Sequence, residues 1–303
     1  TVSCAGGNMT RCRLPLTRAP FAGQGLRITV QGLQGGHSGM EIHKGRGNSN
    51  QLLGRVLRSM AAATELRLIS AEGGMKDNAI PGEASALVVV SDAAAAQAAA
   101  AEMDAALKNE LRVTDPKVEV RTEPVVPEGQ PADQMSTRRA MCLLTCAPVG
   151  VQAMSADIEG LVQTSLNLGI LRTEGDELVA SFCIRSSVES QKEMLKDRLA
   201  CLMEQLGGTA EFSGDYPGWA YDPDSALRKL MVEVFREQYG KDPKVEAMHA
   251  GVECGLFAGK IPGLDCVSIG PDLLEIHTPR ERMSVSSVQR VWAFLLEVLR
   301  RSK

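Results

Sequence analysis

Residues 26–33 alternate apolar and polar, the period of a half-buried strand. The period then changes. Over residues 49–63, Leu52, Leu53, Val56, Leu57 and Met60 fall on one helical stripe, and Asn48 stands where an N-cap belongs. Residues 66–70 and 84–90 read as strands, separated by the turn signals Gly73-Gly74 and Asn78-Ala-Ile-Pro81-Gly82. Asp92 opens an alanine-rich helix over 93–112, and 117–126 returns to a strand pattern. The resulting order, β, α, β, β, α, β, is that of a split βαβ or ferredoxin-like unit.

Residues 1–25 read as irregular, rich in Gly, Pro and Arg, and the Pro-rich stretch 123–134 reads as a connection. A helix is expected over 135–147, then a hairpin of strands at 160–171 and 177–187. An amphipathic helix over 188–206 ends at Gly207-Gly208, and a strand follows at 209–213. The composition breaks at 214–224, where a domain boundary is expected. Beyond it, helices at 225–239, 251–259 and 285–301 alternate with strands at 245–248 and 266–269. That alternation predicts the end of an α/β layered domain with a largely parallel sheet, whose site loops lie at the carboxyl ends of its strands.

Composition narrows the classes. The 303 residues are 44% hydrophobic and 23% charged, with a net charge of -4, which argues against phosphate-backbone binding. No apolar run approaches the roughly 18 residues of a membrane span. Eight cysteines are scattered without a C-x-x-C pair, so they read as small buried apolar residues in a reducing, cytoplasmic setting.

The candidate chemistry starts at Gly35-Gly36-His37-Ser38-Gly39, directly after the first strand, with His43 close behind. Glycines there permit positive φ and close approach, so the turn can present His37 outward; a merely glycine-requiring loop is the other reading. His249 and His277 fall at predicted strand ends, and Glu253 at a helix start. Either histidine could hydrogen-bond structurally or ligate zinc. Arg185 lies in a strand with apolar neighbours; a charge there needs an internal acidic partner or a substrate carboxylate. Asn78 and Asn167 are amides at turn and strand positions. No P-loop, dinucleotide fingerprint, Gly-x-Ser-x-Gly elbow or His-Glu-x-x-His occurs.

Together the motifs resemble one family. Gly32-Leu-Gln-Gly-Gly-His-Ser-Gly39 with Glu41-Ile-His43 and Gly47-Asn48 is similar to the lid motif of bacterial aminoacyl-histidine dipeptidases, carnosinase-like members of the two-zinc exopeptidases. Asn78-Ala-Ile-Pro81, Thr164-Ser-Leu-Asn-Leu-Gly169, Ile184-Arg-Ser186, Tyr216-Pro-Gly-Trp219, His249-Ala-Gly-Val-Glu-Cys-Gly-Leu-Phe257 and Ser268-Ile-Gly-Pro271 with His277 follow in that family's order. The resemblance implies an α/β zinc-binding catalytic domain interrupted by an α+β, ferredoxin-like lid. Residues 1–24 would be a stub of the catalytic domain, 25–213 the lid and 214–303 the catalytic domain's C-terminal part. It implies that His277 ligates zinc, that Arg185 grips the substrate's C-terminal carboxylate, and that His37 stabilises the oxyanion. Asn78, Asn167, His249 and Glu253 fall in substrate-binding motifs. It further implies two zinc ions in the complete enzyme, a dipeptide substrate and a homodimer formed through the lid. The family's other zinc ligands and its catalytic glutamate precede the Cys-Ala-Gly-Gly turn, so the chain is expected to be the C-terminal part of a dipeptidase, inactive alone. A non-catalytic dimerisation or carboxylate-binding module and an aminoacylase-type amidohydrolase are the competing readings.

Overall fold

A computed structural model describes residues 1–275 and 278–302. The chain runs through β1 (Gly6–Pro15), β2 (Gln24–Gln31), β3 (Gly36–His37), α1 (Ser49–Ala63), β4 (Leu66–Gly73), β5 (Ala79–Ile80), β6 (Ala84–Val90), α2 (Ala93–Glu110) and β7 (Glu119–Val125). It continues with α3 (Gln134–Cys146), β8 (Gly150–Met154), β9 (Val162–Glu174), β10 (Glu177–Ser186), α4 (Glu189–Leu206) and β11 (Thr209–Tyr216). Helices α5 (Ala226–Tyr239), α6 (Glu253–Lys260) and α7 (Val285–Arg301) complete it, with a short pair β12 (Leu273–Leu274) and β13 (Arg282–Met283).

Nine strands form one sheet in the order β11-β1-β10-β9-β4-β6-β2-β7, with β8 also on β9. Every pairing in it is antiparallel. The segment from β2 to β7 has the βαββαβ order that the periodicity predicts, and its strands lie side by side as β4-β6-β2-β7. Alternation sorts each strand. Leu26, Ile28 and Val30 of β2, Val88 and Val90 of β6, and Ala180, Phe182 and Ile184 of β10 point into one core. Leu53 and Leu57 of α1, Leu143 of α3 and Leu199 of α4 close that core from the helical side. The opposite face of β9 and β10 carries Ser165, Asn167, Cys183 and Arg185, all buried.

Helix α1 is fixed at its start by Asn48. Its side-chain oxygen accepts from the amides of Asn50 and Gln51, and its amide donates to Asn167 Oδ1 (3.2 Å) and the Leu168 carbonyl (3.0 Å). The cap therefore also welds the helix to β9. Asp92 and Asp133 cap α2 and α3 through the amides of Ala95 and Ser136.

Four expectations need correction. Residues 1–25 are not irregular: β1 is a ten-residue strand inside the sheet, between β10 and β11. Its glycines and polar Asn8 and Thr10 disguise it, yet Cys12 and Leu14 face the core. Residues 245–248 and 266–269 are not strands. They lie extended against the first residues of the chain, with the Met248 amide on the Ser3 carbonyl and the Ser268 amide on the Thr1 carbonyl, plus one parallel bridge between Cys4 and Met248. A ladder needs successive bridged pairs on a neighbouring strand; here three backbone bonds join 246–248 to residues 2–5 and two join Ser268 to Thr1, with a single bridge at Cys4 and Met248. The largely parallel sheet expected after residue 214 is accordingly not formed among the described residues; the architecture is a mixed α/β fold around an antiparallel sheet. The cysteines also divide: Cys4, Cys12 and Cys183 are buried, whereas Cys146 and Cys201 are exposed.

Asn48→Ala removes a helix cap and two buried donors together. Chemical denaturation is expected to show a loss of about 2–3 kcal/mol. An unchanged midpoint would mean that neither bond contributes.

Candidate active site

The strand register builds the site. Arg185 on β10 stands opposite Ser165 on β9 and Gly7 on β1, and Gly7 stands opposite Tyr216 on β11. Four strands thus place Tyr216, Gly7, Arg185 and Ser165 in one row. Gly7 is needed there: a Cβ would lie 2.6 Å from the Tyr216 ring, so its absence lets the ring lie over β1. The Tyr216 hydroxyl reaches Arg185 Nη1 at 3.3 Å. One row along, Cys183 stands opposite Asn167 and Met9.

Arg185 is only 8% exposed. Its guanidinium lies against the Cys183 thiol, its Nε has no hydrogen-bond partner, and no carboxylate among the described residues pairs with it. The internal acidic partner is therefore not what holds this charge. A buried cation left unpaired is costly, and a planar guanidinium suits a carboxylate.

His37 reaches the site from the other side. Its β3 pairs with β5, Gly36 opposite Ile80 and His37 opposite Ala79. Gly35 and Gly36 take φ of 62° and 140°, which side chains rarely tolerate. The His37 ring nitrogen Nδ1 accepts from the amides of Gly39 (3.1 Å) and Met40 (3.0 Å). Nδ1 therefore carries no proton, and the neutral ring carries it on Nε2 as a donor. Burial, with the Arg185 charge second, lowers the His37 pKa, while Glu41 opposes. Glu41 accepts the His37 amide (2.9 Å) and pairs with Lys44 and Arg46. The Lys44 bond first, then that amide, hold its carboxyl down at about 2.

Gly39 is the point where three residues meet. A Cβ on it would lie 3.1 Å from Arg185 Nε, 3.1 Å from His37 Cε1 and 2.5 Å from the His249 carbonyl. His249 is buried, its Nε2 sharing a 2.6 Å hydrogen bond with Ser165 Oγ. Burial, then Arg185, push its pKa down to about 3.

The remaining candidates divide. Asn167 is 1% exposed and spends its amide donors on the Asp77 (3.0 Å) and Ala79 (2.8 Å) carbonyls. It positions β5, and through β5 His37; it has no free group for a ligand. The Asn78 carbonyl accepts from the Ser38 amide (2.9 Å), and Asn78 lines a cavity of about 480 Å³ with Arg185, Tyr216, Cys183 and Asp77. Glu253 opens α6, exposed, and no hydrogen bond ties it to His37 or Arg185. His43 sits exposed on the 3-10 turn after His37. His277 lies outside the described residues. Residue-level reading missed Tyr216 and Asp77 as site residues. The row opposite Arg185 reveals the first, and the close approach of Gly169 to the 75–78 loop reveals the second.

Among the described residues, the one set of three acidic or ligating side chains with metal-ligand spacing is Glu189, Glu193 and Asp215. Lys192 pairs with Glu189 and Asp215, and Lys196 with Glu193 and Asp215. Each of the three carboxylates is already paired with one of these two ammonium groups, so this set does not fit the two-zinc centre that the resemblance implies.

The His249 shift sets a pH dependence. Folded, the ring stays neutral to about pH 3; unfolded, it takes a proton near pH 6.5. Below 6.5 the unfolded chain binds more protons, so stability falls with pH across that window. His249→Gln is expected to flatten this slope between pH 6.5 and pH 4 in denaturant titrations; an identical slope would remove His249 as its source.

Residues 28–115 match the family described as Peptidase dimerisation domain. The cytosol non-specific dipeptidase of Escherichia coli (strain K12) is 35% identical over 311 residues, an alignment that takes in 99% of this chain and 62% of that protein. The crystal structure of an aminoacylhistidine dipeptidase from Vibrio alginolyticus superposes with a TM-score of 0.92 at 36% identity, covering 99% of this chain and 62% of that one. The chain thus spans less than two thirds of the length of either relative. Residues 28–115 thus match the peptidase dimerisation domain family, and over nearly its whole length the chain is similar to these dipeptidases.

Proposed function

We propose that this chain supplies the substrate-gripping part of a dipeptidase. The observation that carries the reading is Arg185: a buried guanidinium with a free Nε and no acidic partner, across Gly39 from the His37 ring. A dipeptide fits that pair. Its C-terminal carboxylate takes the guanidinium fork, with the Tyr216 hydroxyl holding the other side of Arg185. Its peptide carbonyl then faces His37. In that ring the two amides fix Nδ1 as acceptor, leaving Nε2–H to donate to the oxygen as negative charge develops on it. Placement of the free carboxylate so near the reacting carbonyl restricts substrates to short peptides.

The family relatives bear the names of dipeptidases, one cytosol non-specific and one aminoacylhistidine, and this chain is proposed to share their dipeptide substrates and a cytoplasmic location. The sheet-bearing residues 25–213, joined by β1, are proposed as the lid, and 214–303 as part of the catalytic domain. A homodimer through the lid accords with the peptidase dimerisation domain match over 28–115. The activity of the whole protein is proposed to require zinc. Since the described residues beside His37 and Arg185 do not fit a zinc pair, the chain alone should bind dipeptides without hydrolysing them.

Titration calorimetry of the purified chain with a dipeptide tests the reading. Arg185→Ala should weaken binding by about 1.5–3 kcal/mol, the value of a hydrogen bond to a charged group. Unaltered affinity would remove Arg185 from the site. In the whole enzyme, His37→Ala should lower kcat far more than it raises KM, because its bond strengthens only in the transition state. A KM effect alone would count against the oxyanion role.

A further inference from the structure

Two carboxylates frame the turn that carries His37, and Glu41 is only the inner one. The outer one is Asp115, between α2 and β7. Asp115 is fully buried, and among the described residues no cationic side chain pairs with it. Both of its oxygens are spent on backbone. Oδ1 accepts from the Gln34 amide (2.8 Å) and Oδ2 from the Gly47 amide (2.8 Å). Those amides stand at the two ends of the His37 turn, so one side chain closes it.

A carboxylate is the group that this place requires. Two N–H donors face it from opposite ends, and only a carboxylate offers each of them an oxygen; an asparagine would turn its own N–H₂ on one of them. Hydrogen bonds to an ionised acceptor are also the stronger kind, which offsets the cost of burying the charge. The backbone around it is packed close. Gly32 takes φ of 80°, and a Cβ there would lie 1.9 Å from the Lys117 carbonyl oxygen. A Cβ on Gly47 would lie 3.0 Å from Leu111 Cδ1.

A relay leads from Asp115 to the ring. Gly47 follows Arg46, whose Nη1 donates to the Gly35 carbonyl and pairs with Glu41 (3.3 Å). Glu41 accepts the His37 amide (2.9 Å), and His37 Nδ1 accepts the amides of Gly39 and Met40. The turn holds glycines at 35, 36, 39, 45 and 47, so little stiffness comes from its own backbone.

We propose that Asp115 is a positioning residue for His37: by holding both ends of the 34–47 turn, it fixes the ring's place and keeps the ring proton on Nε2. This rests on the reading of His37 as the donor to the oxyanion.

Nitrogen-15 NMR of the His37 ring in the purified chain, with amide hydrogen exchange, tests this before and after Asp115→Asn. In the wild type the ring proton should sit on Nε2, and the Gly39 and Met40 amides should be protected. Asp115→Asn gives up one of the two end bonds. It should mix the His37 tautomers and speed exchange at Gly39 and Met40 about tenfold, while Phe182 and Ile184 in β10 exchange as before and certify the fold. Asp115→Leu, with no acceptor, should do the same to a greater degree. Faster exchange at Gln34 and Gly47 alone, with the tautomer and the Gly39 and Met40 amides unmoved, would overturn the proposal and leave Asp115 a local clamp. In the whole enzyme, Asp115→Asn should lower kcat and leave KM within about twofold. A disturbed tautomer with kcat retained would uphold the positioning and overturn the oxyanion reading instead.

Discussion

The buried amide of Asn167 links the parts of this molecule that have to stay in register. Its oxygen receives Asn48, the cap of α1, and its nitrogen holds the carbonyls of Asp77 and Ala79. Ala79 in turn pairs with His37. A helix start, a central strand and the histidine turn are therefore fastened through one side chain that water does not reach. An amide suits this place because it both donates and accepts, and a purely apolar residue of the same volume would leave three polar groups unpaired. The loop carrying Asp77 depends on the same fastening.

Electrostatics at the site follow from one uncompensated cation. Arg185 discourages protonation of both His37 and His249, adding to what burial already does. Neutral His37 keeps one ring nitrogen as an acceptor for the turn's own amides, so the turn and the tautomer define each other. Glu41 favours the charged ring, but it comes after burial and Arg185, because its carboxylate is aimed at the His37 amide and not at the ring. Its pairing with Lys44 and Arg46 keeps it occupied elsewhere.

Much of this was legible in the sequence where the signal is local. A cap and a stripe located α1 to the residue, the helix expected over 285–301 coincides with α7, and the βαββαβ order emerged from changes of period alone. Glycines around His37 and a cation among apolar residues at Arg185 marked the site. What was not legible depends on distant neighbours. Strand β1 is buried although polar at Asn8 and Thr10, because Thr10 donates to Asn8 and Asn8 to Asp215. Residues 245–248 have strand-like composition but lack a ladder to join. Tyr216 and Asp77 gain their places only from Gly7 and Gly169, glycines whose purpose is visible once the opposing backbone is.

The unpaired guanidinium has a consequence for the folding equilibrium itself. A chain that buries a positive charge without a counter-ion is less stable than the same chain with an anion in place. On the proposed role of Arg185, a carboxylate bound beside Tyr216 would stabilise the native state, and more so the tighter it binds. Folding and recognition are thus linked through Arg185. The molecule's resistance to unfolding would then report the small carboxylates dissolved around it, with acetate or a free amino acid as a participant in that equilibrium.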